Sequence, residues 1–260
     1  MIVIDKLCYE SKLRHVNAGV KAGYAASALL ICVVGKSVAA AGLAFLFNGW
    51  LTVRRGGISL SRYVRLLLVP AAFLLAGTTA VFINLSRTPL DAFAIPLGSW
   101  YLTGSLEGIR QGCRLCVTAE ASVTCLYFLS LNTTMTDILG VLRKCHVPGL
   151  IMEMMLLIYR FIFLVMETAS AVMTAQECRL GNRDLRTGMR AFGEMGSAVF
   201  IRAVKRSNAL YDAMESRCYD GTIRVLSEEE PPKRHQAAAA VAAAGILLAV
   251  TAAERRLGLF

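Results

Sequence analysis

Charge is scarce in this sequence. Only 18% of its 260 residues are charged, against about a quarter in an ordinary soluble domain, while 56% are hydrophobic. With a mean hydropathy of +0.55, this excludes a conventional water-soluble fold and puts the chain in a membrane. Acidic residues are the rarer kind, 18 against 28 basic ones, for a formal charge of +10. That excess would suggest nucleic acid in a soluble protein. In a membrane protein the placement of basic residues marks a side of the bilayer, and no nucleic-acid partner is expected. A nucleotide-binding loop is missing too: Gly35-Lys36-Ser37 ends like one, but position 30, where the first glycine belongs, is leucine. The N-terminal Met-Ile-Val-Ile-Asp-Lys lacks the basic-then-apolar order of a cleaved signal peptide, so insertion falls to the first true span. The eight cysteines lack secreted-scaffold spacing and read as small buried hydrophobes.

What is present is apolar length. A helix needs roughly 20 apolar residues to cross the hydrocarbon. Residues 64–84 supply them with one charge, Arg65, near the end. Two weaker spans, about 18–34 and 38–53, form a tight hairpin around Gly35-Lys36-Ser37; a fourth covers about 106–131 and an alanine-rich fifth 237–253. The reading is an all-α, polytopic bundle of about five spans. Lys6, Lys12, Arg14 and Lys21, then Arg54, Arg55, Arg62 and Arg65, put the N-terminus and the loop after span two in the cytoplasm. Residues 85–105 then fall outside, as does the C-terminus.

The chain divides into a membrane domain, 1–131, a polar cytoplasmic domain, 132–235, and a last span with the C-terminus, 236–260. The middle part holds 14 of the Lys/Arg residues and 12 of the Asp/Glu residues. It reads as three helices. The first, capped by Thr133 to Asp137, ends near Cys145. The second, about 150–179, is nearly apolar, but Glu153, Arg160 and Glu167 recur at seven-residue intervals, so it is expected to lie against the membrane rather than cross it. Its methionines (152, 154, 155, 166, 173) are expected as core filler. The third runs from about 187 to 218, with Phe200, Val204, Asn208, Tyr211, Met214 and Cys218 on a stripe expected to pack. The segment SEEEPPKRHQ, 227–236, reads as a linker.

Both long helices end alike: Ala175-Gln176-Glu177-Cys178-Arg179-Leu180-Gly181 and Ala213-Met214-Glu215-Ser216-Arg217-Cys218-Tyr219-Asp220-Gly221 each carry Ala-x-Glu-x-Arg followed by a glycine. Arginine at a C-terminus suits the helix dipole, and glycine stops helices. Two such ends in the one polar region point further, to a carboxylate-lined groove on a partner.

With these motifs in view, the sequence resembles the transmembrane coupling (T) component of energy-coupling factor transporters, specifically the Q-type subunit of cobalt and nickel systems. The opening Ile-Asp-Lys-Leu-Cys-Tyr-Glu-Ser-Lys-Leu-Arg-His-Val-Asn, the segment Val-Pro-Gly-Leu-Ile-Met-Glu with Tyr-Arg-Phe-Ile-Phe, Leu-Arg-Thr-Gly and Ser-Arg-Cys-Tyr-Asp-Gly carry the likeness over about 2–226. The resemblance implies an α-helical cytoplasmic coupling domain whose two Ala-Arg-Gly-like helix ends enter grooves on two cytoplasmic ATPase subunits. It makes Arg179 and Arg217 the coupling arginines, with Glu177, Gly181, Glu215, Asp220 and Gly221 around them. It implies a separate membrane substrate-binding subunit, a small accessory membrane subunit as a further candidate partner, a bacterial or archaeal plasma membrane, no cofactor and no catalysis in this chain. Neither arginine is followed at once by glycine, which is a departure from the pattern.

Metal ligands are thin. Cys113 and Cys116 share a helix face but make half a site, beside a repelling Arg114, so no metal site is expected. His15, His146 and His235 lack multi-ligand spacing. Glu120, a carboxylate within a span, is expected to pair with an arginine of the bundle. Two other readings stay open: a self-sufficient carrier using Glu120, Cys113 and Cys116, and a passive membrane anchor.

Overall fold

The computed structural model describes residues 3–82, 84–86, 93–97, 100–104, 106–181, 183–221, 223, 231 and 233–256. Two compact units emerge, one of residues 2–138 and 229–260 and the other of 139–228. The protein is an all-α polytopic bundle with one small sheet.

The first unit holds α1 (Val3–Glu10), α2 (Ala18–Gly35), α3 (Val38–Trp50), α4 (Leu60–Phe82), α5 (Leu106–Asn132) and α9 (Arg234–Arg256). Its interior is made of small residues: Ala25, Ala28, Ala41, Ala44, Ala121, Cys32 and Cys125 are buried around Tyr24 and Phe128. Its exterior is made of large ones, with Leu46, Leu68, Val69, Phe73 and Val241 exposed, Phe73 to 78%. Water would not tolerate that pattern, whereas hydrocarbon offers helices no reason to bury leucine and lets small residues bring backbones close. Asn48 is the buried polar exception. It accepts from Tyr24 Oη at 2.8 Å and donates to Cys125 Sγ at 3.2 Å, so no polar atom of this cluster is left facing lipid.

One end of this bundle is built around Asn132, which is fully buried. Ser11 caps a short 3-10 turn, Lys12–His15, and donates to Asn132 Oδ1 at 2.7 Å. Lys21 Nζ donates to the carbonyls of Leu13 (3.0 Å) and Asn132 (2.7 Å), while Asn17 caps α2 through Gly19 and Val20. The opening motif of the chain is thus a set of caps and donors that fastens α1 and α2 to the end of α5. At the other end, Lys36 takes a left-handed turn (φ 47°) and its carbonyl accepts from Arg114 Nε at 2.6 Å. Ser37 caps α3 and bonds the carboxylate of Glu254, which closes α9 onto the α2–α3 hairpin.

Pro70 lies inside α4. It has no N–H for the carbonyl of Leu66, four residues back, and Tyr127 Oη of α5 donates there at 3.2 Å. Replacing Tyr127 with phenylalanine should cost about 1 kcal/mol, since the carbonyl then faces hydrocarbon without a donor. Thermal unfolding in nanodiscs checks it.

The helices that meet the length and apolarity of a span differ in part from those expected from the sequence. Five helices are long and apolar enough to cross: 18–35, 60–79, 108–132, 149–178 and 234–256. The expected second span is a 13-residue α3 continued by a π-helical turn, Leu51–Arg55, and does not qualify alone. The helix expected to lie along the membrane qualifies instead, with a mean hydropathy of 2.0 over its most apolar 18 residues, because four charges spread over 30 residues weigh little against its aliphatic length. The segment expected to fall outside, about 85–105, includes strand structure that an all-α reading did not provide for: β1 (Asn84–Ser86), β2 (Phe93–Leu97) and β3 (Trp100–Gly104), antiparallel in the order β1-β3-β2. Pro96 sits in an edge strand, where a missing N–H is harmless.

The second unit contains α7 (Gly149–Cys178), α8 (Leu185–Glu215) and the end of α6 (Met135–Lys144). The stripe on α8 expected to pack is largely exposed: Phe200 by 69%, Val204 by 45%, Tyr211 by 53%. Periodicity identified an apolar face, but the described residues place nothing over it. Met154, Met166 and Met173 are likewise exposed rather than core. Of the cysteines, Cys8, Cys32 and Cys125 are buried, but Cys113, Cys145, Cys178 and Cys218 are exposed, the last three because each lies at or next to a helix end. The linker 227–236 lies mostly outside the described residues.

Candidate functional site: two matched helix ends

At the end of α7, Arg179 N donates to Gln176 O (3.1 Å), Leu180 N to Glu177 O (3.0 Å) and Gly181 N to Gln176 O (2.8 Å). At the end of α8 the same three bonds recur: Arg217 N to Met214 O (3.0 Å), Cys218 N to Glu215 O (2.9 Å) and Tyr219 N to Met214 O (3.1 Å). Each is a Schellman closure, which needs a left-handed residue directly after the arginine. Leu180 (φ 57°) and Cys218 (φ 58°) supply it. The missing glycines therefore do not change the path of the backbone. Side-chain-bearing residues adopt the glycine conformation, at a cost of about 1–2 kcal/mol each.

Changing Leu180 or Cys218 to glycine should firm each cap by up to about 1 kcal/mol. Slower amide exchange at Leu180, Gly181 and Tyr219 is the expected result.

The cap alone does not define a site, because α6 ends the same way. Cys145 N and Val147 N both donate to Leu142 O (3.0 and 3.4 Å), His146 N donates to Arg143 O (3.2 Å), and His146 has φ 61°. There the position of the arginine is held by Cys145. What α7 and α8 add is a guanidinium at that position, directly before the left-handed residue.

Both arginines are exposed, and among the described residues neither is paired with a carboxylate. Glu177 and Glu215 are exposed two positions earlier, a spacing that puts them on a different helix face from the arginine. Gly181 is packed close: a Cβ there would lie 3.0 Å from Gln176 O and 3.3 Å from Gln176 Cβ. Gly221 takes φ 84° beside an exposed Asp220, so it turns the chain four residues after Arg217 rather than closing the helix.

The two arginines sit at opposite ends of one hairpin. Gln176 Nε2 donates to Ala191 O at 2.8 Å and fixes the crossing near Arg179. At the far end, Tyr219 Oη donates to Glu153 Oε2 at 2.6 Å, which brings the Arg217 end back to the root of α7. Glu153 and Arg179 are 26 residues apart on α7, so the guanidiniums are separated by about 40 Å at 1.5 Å per residue. Sequence reasoning missed Gln176 and treated Glu153 only as part of a charged line; its place in the Val-Pro-Gly-Leu-Ile-Met-Glu motif was the available signal.

The weighed ion ligands do not come together. Cys116 Sγ donates to Thr78 Oγ1 at 3.2 Å, and Cys113 is exposed. Glu120 lacks the arginine expected for it: its Oε2 is buried and accepts no hydrogen bond among the described residues. No three His, Cys, Asp or Glu side chains among the described residues are grouped to hold a metal.

A helical hairpin carrying two cationic tips, continuous in sequence with an inside-out bundle of small-residue interfaces, defines a multi-pass membrane protein. The family described as cobalt transport protein, CbiQ, matches residues 9–228, and the chain belongs to it. The chain is 25% identical over 222 residues to cobalt transport protein CbiQ of Salmonella typhimurium, covering 85% of this chain and 98% of that one. It is 30% identical over 185 residues to cobalt transport protein CbiQ of Rhodobacter capsulatus, covering 71% and 68%. A Methanocorpusculum labreanum protein, named as a fused cobalt transport protein CbiMQ, is 30% identical over 234 residues; the match takes in 87% of this chain and 38% of that longer one. The protein is accordingly a membrane component of cobalt transport.

Proposed function

We propose that this chain is the non-catalytic coupling subunit of an energy-coupling factor importer for cobalt, passing the motion of two cytoplasmic ATPase subunits to a separate substrate-binding membrane subunit. The observation that carries the reading is the pair of identical caps, each presenting an exposed arginine that pairs with no carboxylate among the described residues, about 40 Å apart on one hairpin. One tip cannot serve two partners at once, whereas two tips at that spacing suit two copies of one acidic groove. A guanidinium is the cation of choice there because its planar fork grips a carboxylate with two hydrogen bonds.

Closing of the two ATPases would then displace both ends of the hairpin together, a rigid-body input to the bundle. The bundle end bearing Lys6, Lys12, Arg14, Lys21, Arg54 and Arg55 would face the cytoplasm with residues 132–235. A chain in which this module is fused to a second transport module supports a membrane partner for the substrate. A small accessory membrane subunit is a further partner, and the same role in a nickel importer is the nearest alternative.

Native thiols provide the test. Cys178 and Cys218 are exposed and adjoin Arg179 and Arg217, while Cys145 is exposed at the third cap, where it stands in the position those arginines hold. Burial, with Asp5 adding to it, pushes the Cys8 thiol up to about 11, so Cys8 stays silent at neutral pH. Alkylation in membranes co-expressing the ATPases should slow about tenfold or more at Cys178 and Cys218 and hold constant at Cys145. Equal rates at all three, with and without the ATPases, would sink the reading.

A further inference from the structure

The two arginine tips are mounted differently. Arg179 stands where the hairpin bends, with the crossing fixed one turn back by Gln176. Arg217 stands just past the end of α8, and the chain beyond it is folded back onto α7. Glu153 is 9% exposed and uses both carboxylate oxygens for this: Oε2 accepts from Tyr219 Oη at 2.6 Å and Oε1 from Ile223 N at 3.0 Å. The two donors flank Asp220-Gly221, and the left-handed Gly221 lets the chain turn between them.

From this geometry we infer that Glu153 is the positioning residue for the Arg217 tip, a carboxylate clasp that holds the chain after Arg217 on the root of α7 and so sets where that guanidinium is offered. The inference rests on the coupling reading above. Charge-assisted bonds from two donors to one carboxylate are the strong kind, and each oxygen here has its own donor. The hydrogen bond to Glu153 also raises the Tyr219 phenol above its ordinary value, so it remains a donor throughout the physiological range. Glu153 and Tyr219 lie 66 positions apart, the first in the Val-Pro-Gly-Leu-Ile-Met-Glu motif and the second in Ser-Arg-Cys-Tyr-Asp-Gly. No equivalent carboxylate holds the Arg179 tip among the described residues, so the clasp makes one tip conditional and leaves the other built in.

The test uses the full chain in nanodiscs with its ATPase subunits. Nitroxides go on native Cys218 and on a cysteine replacing the exposed Leu150, in a chain whose Cys113, Cys145 and Cys178 are serine. Electron–electron distance distributions and ATPase retention are measured for wild type, Tyr219→Phe, Glu153→Ala, Glu153→Gln and Arg217→Glu. Glu153→Ala should broaden the 150–218 distribution, and in an Arg179→Glu background it should lower ATPase retention about tenfold, the equilibrium weight of a charge-assisted hydrogen bond. Tyr219→Phe should do the same in part. Glu153→Gln keeps an oxygen for Ile223 N and an amide that can donate to Tyr219 Oη, so it should behave as wild type. An unchanged distribution in Glu153→Ala overturns the clasp. So does a broadened distribution with full retention, if Arg217→Glu abolishes retention in the same background. If Arg217→Glu itself leaves retention intact, the coupling reading fails and takes the clasp with it, and that control tells the two failures apart.

Discussion

Arg179→Glu with Arg217→Glu should strip the ATPase subunits from this chain and abolish ATP-driven uptake, while the chain itself inserts and folds as before. The folding half rests on exposure. Both side chains are exposed, and the caps are made by backbone bonds that recur at α6 with Cys145 in the arginine's position. The binding half rests on electrostatics. Losing one partner of a desolvated ion pair costs about 2–5 kcal/mol, and reversal adds repulsion, so retention should fall by about a hundredfold or more for the pair. Single reversals should leave one tip engaged and give an intermediate loss. Arg→Lys at both positions should fall between, since a lysine keeps the charge but not the fork. Co-purification with mass identification, alongside cobalt uptake, reads all of these; full retention by the double mutant would overturn the role assigned to the tips.

The second large effect lies in the other unit. A Cβ at Gly56 would sit 2.4 Å from the carbonyl oxygen of Thr52 and 2.6 Å from Asn132 Oδ1. No side chain fits there without pushing Asn132 aside, and Asn132 is the group that holds Ser11 by its Oδ1 and Lys21 by its backbone carbonyl. Gly56→Ala should therefore cost about 3 kcal/mol or more, as overpacking joined to the loss of a buried polar network. Gly23 is the control: it lies in α2 with open space where a methyl group would stand. Gly23→Ala should gain up to about 1 kcal/mol from helix propensity alone. Thermal unfolding in nanodiscs should separate the two in opposite directions, and a neutral Gly56→Ala would show that the Asn132 junction yields more easily than its contacts indicate.

Local features were legible in the residues, and long-range ones were hidden. Ala-x-Glu-x-Arg could be read twice because a helix end is written in consecutive residues. The all-α membrane character was readable for the same reason, since apolar length is a property of one window. The left-handed Leu180 and Cys218 were not readable, because intrinsic preference assigns that conformation to glycine and the closure overrides it. Glu153 looked like one charge among three on a helix face, since its donors lie 66 and 70 residues away. The α8 stripe shows a different limit: spacing says which face is apolar but not what covers it. The small sheet escaped notice because its strands are three to five residues long and one contains a proline.

The bond between Ser37 and Glu254 joins residues 217 positions apart. Because a ribosome delivers Glu254 long after Ser37 has entered the bilayer, the first hairpin must wait with its turn unfastened until the residues between them have been made. Closure of the hairpin thus follows synthesis of α9, and a chain released before that point, even one that has both arginine tips, would leave the insertion machinery with its first two helices still unlocked.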